Sequence, residues 1–484
     1  MSEEKRPEVR HRTRRKRVPE KAAAQDVDVV ESSPAVEAEA APAVKKRVAK
    51  SAAPKKKTTK KKSSRPLYDN VDNIRKQTSR VLGNYMTSAA KDSGDPRICS
   101  AGVAGQLVVG VPFPSFSLEY LFQNTVLPFG RILQLLGVEG TCKSGIALEM
   151  GRWYVEHYGG IIGLKENESK YSPDWAQSIV GWDYGDSIMV APCTSSGDWQ
   201  KIQQSFFTDI KKNMLGTKTE PGPGVVYPVM SIVDSLMGKA SEETQNRIEA
   251  DGFAGRGFAI EALSITRYLR HIPQRIAAWP FFIILINHEK PSKDAKTQAI
   301  IRDKAGGKQK EFQETFEITT SRKRRITTKD FDGLDLELRM HKNSLGVGDR
   351  RIPITVRWWN EVQDEDDVTG DRQITVFDWD SSTIELLLNM QKGKTPDKGK
   401  VREVLDLIEV PGKKVYSKAL GISKADALPY WEAGKLLHEN ELIMRALRRK
   451  FSVKVRREYQ VGEDYEKLWQ EAIKRIGRQI KGKT

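Results

Sequence analysis

An α/β fold built on a mostly parallel, twisted sheet flanked by helices is predicted by two features of this chain. Short apolar strand-like runs at Ile132–Leu136, Ile161–Leu164, Ser187–Val190, Val225–Val233 and Phe281–Ile286 alternate with helix-like or loop segments. Strands separated by such crossovers form parallel sheets covered on both faces. A further β-rich stretch runs from Phe316 to Val376. The 484 residues give room for about three average domains, and so for a sizeable buried core.

In chain order, residues 1–65 read as a disordered basic tail. Lys and Arg exceed Asp and Glu by 17 over the whole chain, and 11 of that excess falls in residues 1–65, mostly in the blocks Arg10–Arg17 and Lys45–Arg65. Almost no large apolar side chains accompany them, so this segment has nothing with which to build a core. It suits a solubilising tail or a non-specific tether to a polyanion through counterion release; nuclear targeting is a further reading. Residues 66–100 are expected to form an N-terminal helix and linker, with Leu67, Val71, Ile74, Val81, Leu82 and Tyr85 spaced for one helix face. The α/β core is expected over residues 101–378. Pro291–Phe312, inside it, is polar, basic and without a clear period, which reads as a loop. Residues 379–484 are expected to be a small, charged, largely helical C-terminal domain, with a basic cluster at Arg445, Arg448, Arg449 and Lys450.

Some classes are excluded. No apolar run approaches the roughly 20 residues that span a bilayer, so no membrane role is expected. The charged N-terminus lacks the apolar stretch of a secretory signal. Cys99, Cys142 and Cys193 are odd in number and widely spaced, which argues against a disulfide framework or a zinc site and for a reducing, cytoplasmic setting.

The strand Ile132–Leu136 runs into Gly137-Val138-Glu139-Gly140-Thr141-Cys142-Lys143-Ser144, followed by the helix-like Gly145-Ile146-Ala147-Leu148-Glu149-Met150. Strand, glycine-bearing loop and helix in that order make a phosphate cradle, with backbone N–H groups and a helix N-terminus facing the anion. Lys143 would reach the β- and γ-phosphates, and the Ser144 hydroxyl would ligate Mg²⁺. Cys142 stands where that pattern has its second glycine, a position at which a side chain could crowd the loop. A glycine-containing turn that binds nothing is the alternative.

Three strand ends add candidates. Val225–Val233 delivers Asp234, either a partner for Mg²⁺ from a strand beside the phosphate-loop strand or a helix cap. Ile161–Leu164 leads to Glu166 and Glu168, which could polarise an attacking water or be solvated loop glutamates. Phe281–Ile286 delivers Asn287 and His288, where a polar group could sense a γ-phosphate or be a hydrogen-bonded loop histidine.

With these residues in place, the chain resembles the RecA recombinase family, most of all the phage recombinases of the UvsX type. The similarity covers roughly residues 101–360. It begins at Pro112–Leu118 and Leu127–Ile132, and includes the phosphate loop, Ser231–Leu236 and Leu285–His288. UvsX-type proteins also carry a bulkier residue at the second glycine and the same Asn-His pair. The resemblance implies a RecA-like P-loop ATPase core, with Gly137 to Gly145 (Val138, Glu139, Gly140, Thr141, Cys142, Lys143 and Ser144 between them) around the nucleotide. It implies ATP and Mg²⁺ as cofactors, with Ser144 and Asp234 on the metal. Glu168 falls on the catalytic glutamate, Lys143 and His288 on catalytic partners, and Trp175 on the aromatic that packs against adenine. Ser172 stands where the family has an acidic residue. Lys342 matches the first of two lysines that complete a neighbouring subunit's ATP site. Ser344 replaces the second, which leaves Lys342 alone or with Arg350 or Arg351.

Two DNA-facing loops are implied by position, Gln245–Gly257 with Arg247 and Arg256, and His288–Phe312 with Lys290, Lys293, Lys296, Arg302, Lys304, Gly306, Gly307, Lys308 and Lys310. The expected function is therefore an ATP-dependent homologous recombinase. It would form a helical filament on single-stranded DNA and pair that strand with duplex DNA. A recombination mediator and a single-strand-binding protein are further expected partners, in the cytoplasm, or the host's if phage-encoded. Two other readings stay open: a ring-forming helicase-like motor on the same fold, and a non-catalytic DNA-binding scaffold.

Overall fold

The computed structural model describes residues 108–193, 195–215, 227–236, 257–276, 279–293, 300–304, 314–361, 372–393 and 400–460. The expected basic tail and the expected helix at residues 66–100 lie outside them.

The chain enters through β1 (Val109–Pro112), α1 (Phe116–Phe122), β2 (Val126–Pro128) and β3 (Arg131–Gly137), which runs into α2 (Lys143–Tyr158). There follow β4 (Ile161–Glu166), α3 (Pro173–Val180), β5 (Ile188–Pro192), α4 (Ser196–Leu215), β6 (Val229–Asp234), α5 (Gly257–Ile276) and β7 (Phe281–Lys293). Next come β8 (Ile300–Lys304), β9 (Phe316–Thr327), β10 (Asp332–Asn343), β11 (Arg350–Glu361) and β12 (Arg372–Phe377). The main sheet has the order β12-β11-β10-β9-β3-β7-β6-β4-β5. Pairing is parallel from β9 across to β5 and antiparallel from β9 to β12.

The central strands show why this chain makes a two-sided sheet. On β7, Phe282, Ile284 and Ile286 join a core with Ile146, Met150 and Trp153 of α2. The alternate residues Phe281, Ile283 and Leu285 join a second core with Phe206 of α4 and Leu269 of α5. A strand buried on both faces carries an unbroken apolar run rather than an alternating one, which is the signal the sequence displays. The parallel α/β expectation is met. Among the described residues no helix is long and apolar enough to cross a membrane.

The structure corrects three expectations. Asp234 ends a strand that is not beside the phosphate-loop strand, because β7 lies between β3 and β6. The stretch after His288 is not a loop throughout, since β7 continues to Lys293 and pairs antiparallel with β8. Backbone ladder bonds define those strand ends. The C-terminal part is less helical than expected: α6 (Trp379–Gln391), α7 (Tyr430–Glu439) and α8 (Glu441–Lys450) are joined by a small sheet of β13 (Ile408–Val410), β14 (Lys414–Tyr416) and β15 (Leu428–Pro429). This part shares the α2-side core through Trp379, Leu387, Leu447 and Phe451, and β16 (Arg457–Glu458) pairs parallel with β1. Arg448 of α8 donates to both carboxylate oxygens of buried Glu119 on α1, at 2.7 and 2.6 Å.

A second buried carboxylate ties the phosphate-loop helix to α6. Glu149 Oε1 accepts the indole N–H of Trp379 at 2.9 Å and that of Trp153 at 3.3 Å. Burial pushes its carboxyl from the ordinary 4.5 up to about 7, against the attraction of Arg152. The folded protein thus holds a proton that the unfolded chain releases above the ordinary value. Stability therefore falls as pH rises from about 4.5 to about 7, by roughly 3 kcal/mol in all. Glu149→Gln is expected to remove that dependence, gaining stability relative to wild type between about pH 5 and about pH 8. Thermal unfolding of both proteins at the two values checks it; an equal gap at both would mean an ordinary carboxyl.

Candidate active site

The phosphate loop is shaped by residues that only local sterics explain. Gly137 has φ 152°, and a Cβ there would sit 2.6 Å from Thr320 O, so no larger residue fits. Thr320 of β9 donates its hydroxyl to Thr141 Oγ1 (2.8 Å), which donates to Val138 O (2.8 Å). The adjacent strand thereby braces the loop. Cys142 is left-handed at φ 58°, a conformation costing an L-residue about 1 kcal/mol and glycine almost nothing. Its sulfur has room because residue 145 is glycine: a Cβ on Gly145 would lie 2.6 Å from Cys142 Sγ. The loop therefore closes around the cysteine without crowding. Burial pushes the Cys142 thiol up to about 12, so it stays protonated and unreactive near neutrality.

Above the loop stands the N-terminus of α2, whose first N–H groups have no helical partner. Lys143 Nζ folds back to donate to Gly137 O (3.1 Å) and Val138 O (2.9 Å). Burial lowers its pKa, while Asp234, Glu168, Glu139 and Glu289 oppose that shift. Ser144 donates its hydroxyl to Asp234 Oδ2. Burial raises the Asp234 carboxyl, and the Ser144 hydrogen bond works against it. A hydroxyl and a carboxylate in contact beneath a phosphate loop are hard oxygen donors of the kind Mg²⁺ takes, so this pair fits the ion. Among the described residues there is no cluster of three or more His, Cys, Asp or Glu side chains arranged for a metal.

The turn after β4 carries Glu168. His288 Nε2, from the strand next to β3, lies 2.6 Å from Glu168 Oε1. That hydrogen bond is the main reason the Glu168 carboxyl is pushed down to about 2, with Ser235 and Lys170 adding to it against burial. Glu166 Oε1 accepts the backbone N–H groups of Glu168 (2.8 Å) and Lys170 (3.1 Å), which fixes the turn. Asn167 joins the ends of β4 and β6, its N–H donating to Asp234 O and its side-chain amide to Ser235 O, both at 2.6 Å. Ser144, Glu168 and Asp234 line one cleft of about 270 Å³ with Lys170, Tyr171 and Trp175. Ser172 caps α3, its hydroxyl accepting Trp175 N at 3.4 Å. The Trp175 ring edge stands 3.4 Å from where a Cβ on Gly145 would be, against the first turn of α2.

Other candidates lie apart. Lys342, opposite Glu317 on β10, is not part of the cleft. Arg350, an alternative for its missing companion, is taken up inside the chain: it donates to Tyr120 O and Phe451 O, both at 3.0 Å, and stacks on Tyr120. Arg351 lines a different hollow, with Lys323 and Glu385. Lys290 and Lys293 sit on β7, and Arg302 and Lys304 on β8, in one ribbon that continues the strand of His288. Arg247, Arg256, Lys296, Gly306, Gly307, Lys308 and Lys310 lie outside the described residues.

Sequence reading missed Lys170, Tyr171, Thr320 and Arg322. Arg322 Nη1 comes 3.6 Å from where a Cβ on Gly140 would lie. Lys170 and Tyr171 stand two and three residues after Glu168 and had only proximity as a signal; Thr320 and Arg322 belong to a distant strand and had none.

No family model matches the chain. Over 122 residues it is 27% identical to Protein RecA of Rhodopirellula baltica. The likeness is to a RecA protein. It takes in 25% of this chain and 32% of that relative, so the chain spans about a third of the length of the protein it matches. The mostly parallel sheet flanked by helices is compatible with a RecA-like core.

Proposed function

We propose that this chain is an ATP-dependent recombinase of the RecA kind, closest to the phage UvsX type. In this reading it assembles on single-stranded DNA and pairs it with a duplex. The observation that carries the reading is the convergence of residues from four neighbouring strands. Lys143 and Ser144 after β3, Asp234 at the end of β6, Glu168 after β4 and His288 within β7 meet around the N-terminus of α2.

Lys143 and the N–H groups of α2 hold the β- and γ-phosphates, and Trp175 packs against the base. Ser144 and Asp234 hold Mg²⁺, which when bound offsets charge on the transferring phosphoryl group. Glu168 orients the attacking water. As a carboxylate held at about 2 by His288, it is a weak base while that contact lasts. Loosening the His288 hydrogen bond raises its basicity, and β7 carries the same displacement into the β7–β8 ribbon, where Lys290, Lys293, Arg302 and Lys304 meet DNA phosphates. Arg247, Arg256, Lys296, Gly306, Gly307, Lys308 and Lys310 are further DNA contacts in the same reading. Lys342 completes a neighbour's site in the filament. Residues 101–378 form the ATPase core, with 379–484 a C-terminal domain and 1–65 a basic tether. A mediator and a single-strand-binding protein would act on the filament.

The test is ATP hydrolysis by the full chain with and without single-stranded DNA. Stimulation of about ten-fold or more, with filaments visible on the DNA, is expected; no turnover in either condition would favour the scaffold reading. Unwinding of a duplex without strand exchange would favour the helicase reading, which the internal engagement of Arg350 does not support.

A further inference from the structure

The nucleotide reading gives Lys170 no role. Lys170 Nζ lies 3.2 Å from Glu168 Oε2 and 3.3 Å from Glu139 Oε1. One ammonium thus spans from the turn after β4 to the crest of the loop after β3. Its position is built rather than incidental. The backbone N–H of Lys170 is bonded to buried Glu166, and Ser169 before it is left-handed at φ 57°. The side chain itself is 63% exposed, free to swing while its backbone is held.

Charge decides what this bridge does. An anion seated on the α2 N-terminus and reaching toward Glu168 meets Glu139, Glu168 and Asp234, all of which repel it. Lys143 is the buried cation on that path, and Lys170 now neutralises two of the three carboxylates. Opposite charges in contact attract more strongly in a partly desolvated cleft than in open water. A terminal phosphate near two negative charges outweighs the single charge of Glu168, and the ammonium can keep Glu139 while it exchanges Glu168 for the phosphate.

We propose that Lys170 is a binding residue, in the same chain, for the outermost phosphate of the nucleotide, and that this contact draws it off Glu168 and frees Oε2 to orient water. The inference rests on the nucleotide reading above. Only the third phosphate reaches beyond Lys143 toward Glu168, so Lys170 separates triphosphate from diphosphate.

The test is calorimetric titration of the full chain with a non-hydrolysable ATP analogue and with ADP, both with Mg²⁺ and without DNA. Lys170→Ala is expected to weaken the triphosphate about ten-fold or more and the diphosphate less than about two-fold. Lys170→Arg, which keeps the charge, is expected to recover the triphosphate to within about three-fold. Equal weakening of both nucleotides by Lys170→Ala, or of neither, overturns the proposal while the nucleotide reading stands. Wild type binding neither nucleotide overturns that reading and this inference together.

Discussion

Glu168→Gln is expected to lower DNA-stimulated ATP turnover about 10³-fold while ATP binds at least as tightly as it does to wild type. The amide keeps the size of the side chain, so the turn fixed by Glu166 is unchanged. What it loses is the anionic oxygen. In the wild type Glu168 stays ionised at any working pH, because its carboxyl is held down to about 2. Protonation would require acid near that value, so Glu168 gives turnover no acid limb in the physiological range. An amide accepts from water with its carbonyl oxygen but takes no proton as charge develops, and it still accepts the N–H of His288. Binding therefore survives and chemistry does not. The measurement is steady-state turnover with DNA beside an equilibrium titration with ATP. Turnover within ten-fold of wild type would remove Glu168 from the water-orienting role and leave its pairing with His288 as a structural bond.

What was legible in the sequence follows the range of the signal. β3, β4 and β7 are buried on both faces, so their apolar runs stand out, and the loop glycines lie contiguous with them. Asp234, Glu168 and His288 could be read as strand-end residues for the same reason, although the insertion of β7 between β3 and β6 could not. Beyond Ile286 the β7 strand is polar and held by ladder bonds to β8, which leave no apolar trace and so looked like loop. The strands β13 to β16 have only two or three residues each, too few for a period. Long-range pairs were hidden altogether. Thr320 on Thr141, Trp379 on Glu149 and Arg448 on Glu119 join segments far apart in the chain, and no spacing announces them. Cys142 shows the opposite case. The departure from glycine was plain, but its accommodation by Gly145 needed the fold.

Lys143→Ala is expected to abolish measurable turnover, at least about 10³-fold, and to remove the stabilisation that ATP gives the folded protein. Without nucleotide the fold should be unharmed. Among the described residues Lys143 Nζ donates only to Gly137 O and Val138 O, and burial lowers its pKa despite four nearby carboxylates. A lysine whose folded pKa is depressed contributes no stability by its charge at neutral pH, since the unfolded chain holds that proton more firmly. Alanine removes the desolvation cost of a buried ammonium along with its two hydrogen bonds to loop carbonyls. A bound phosphate reverses the balance by giving the ammonium a full counter-charge in place of carbonyl dipoles. Wild type at about a hundred times its Kd for ATP should gain about 2.7 kcal/mol of stability, and the variant essentially none. Melting curves with and without ATP–Mg²⁺, set beside turnover, make the comparison. A variant that melts early without nucleotide would assign Lys143 to the fold. A variant that keeps the full ATP-induced shift while losing turnover would place the lysine in the chemical step alone, and the hold on the phosphates would then fall to the N–H groups of α2.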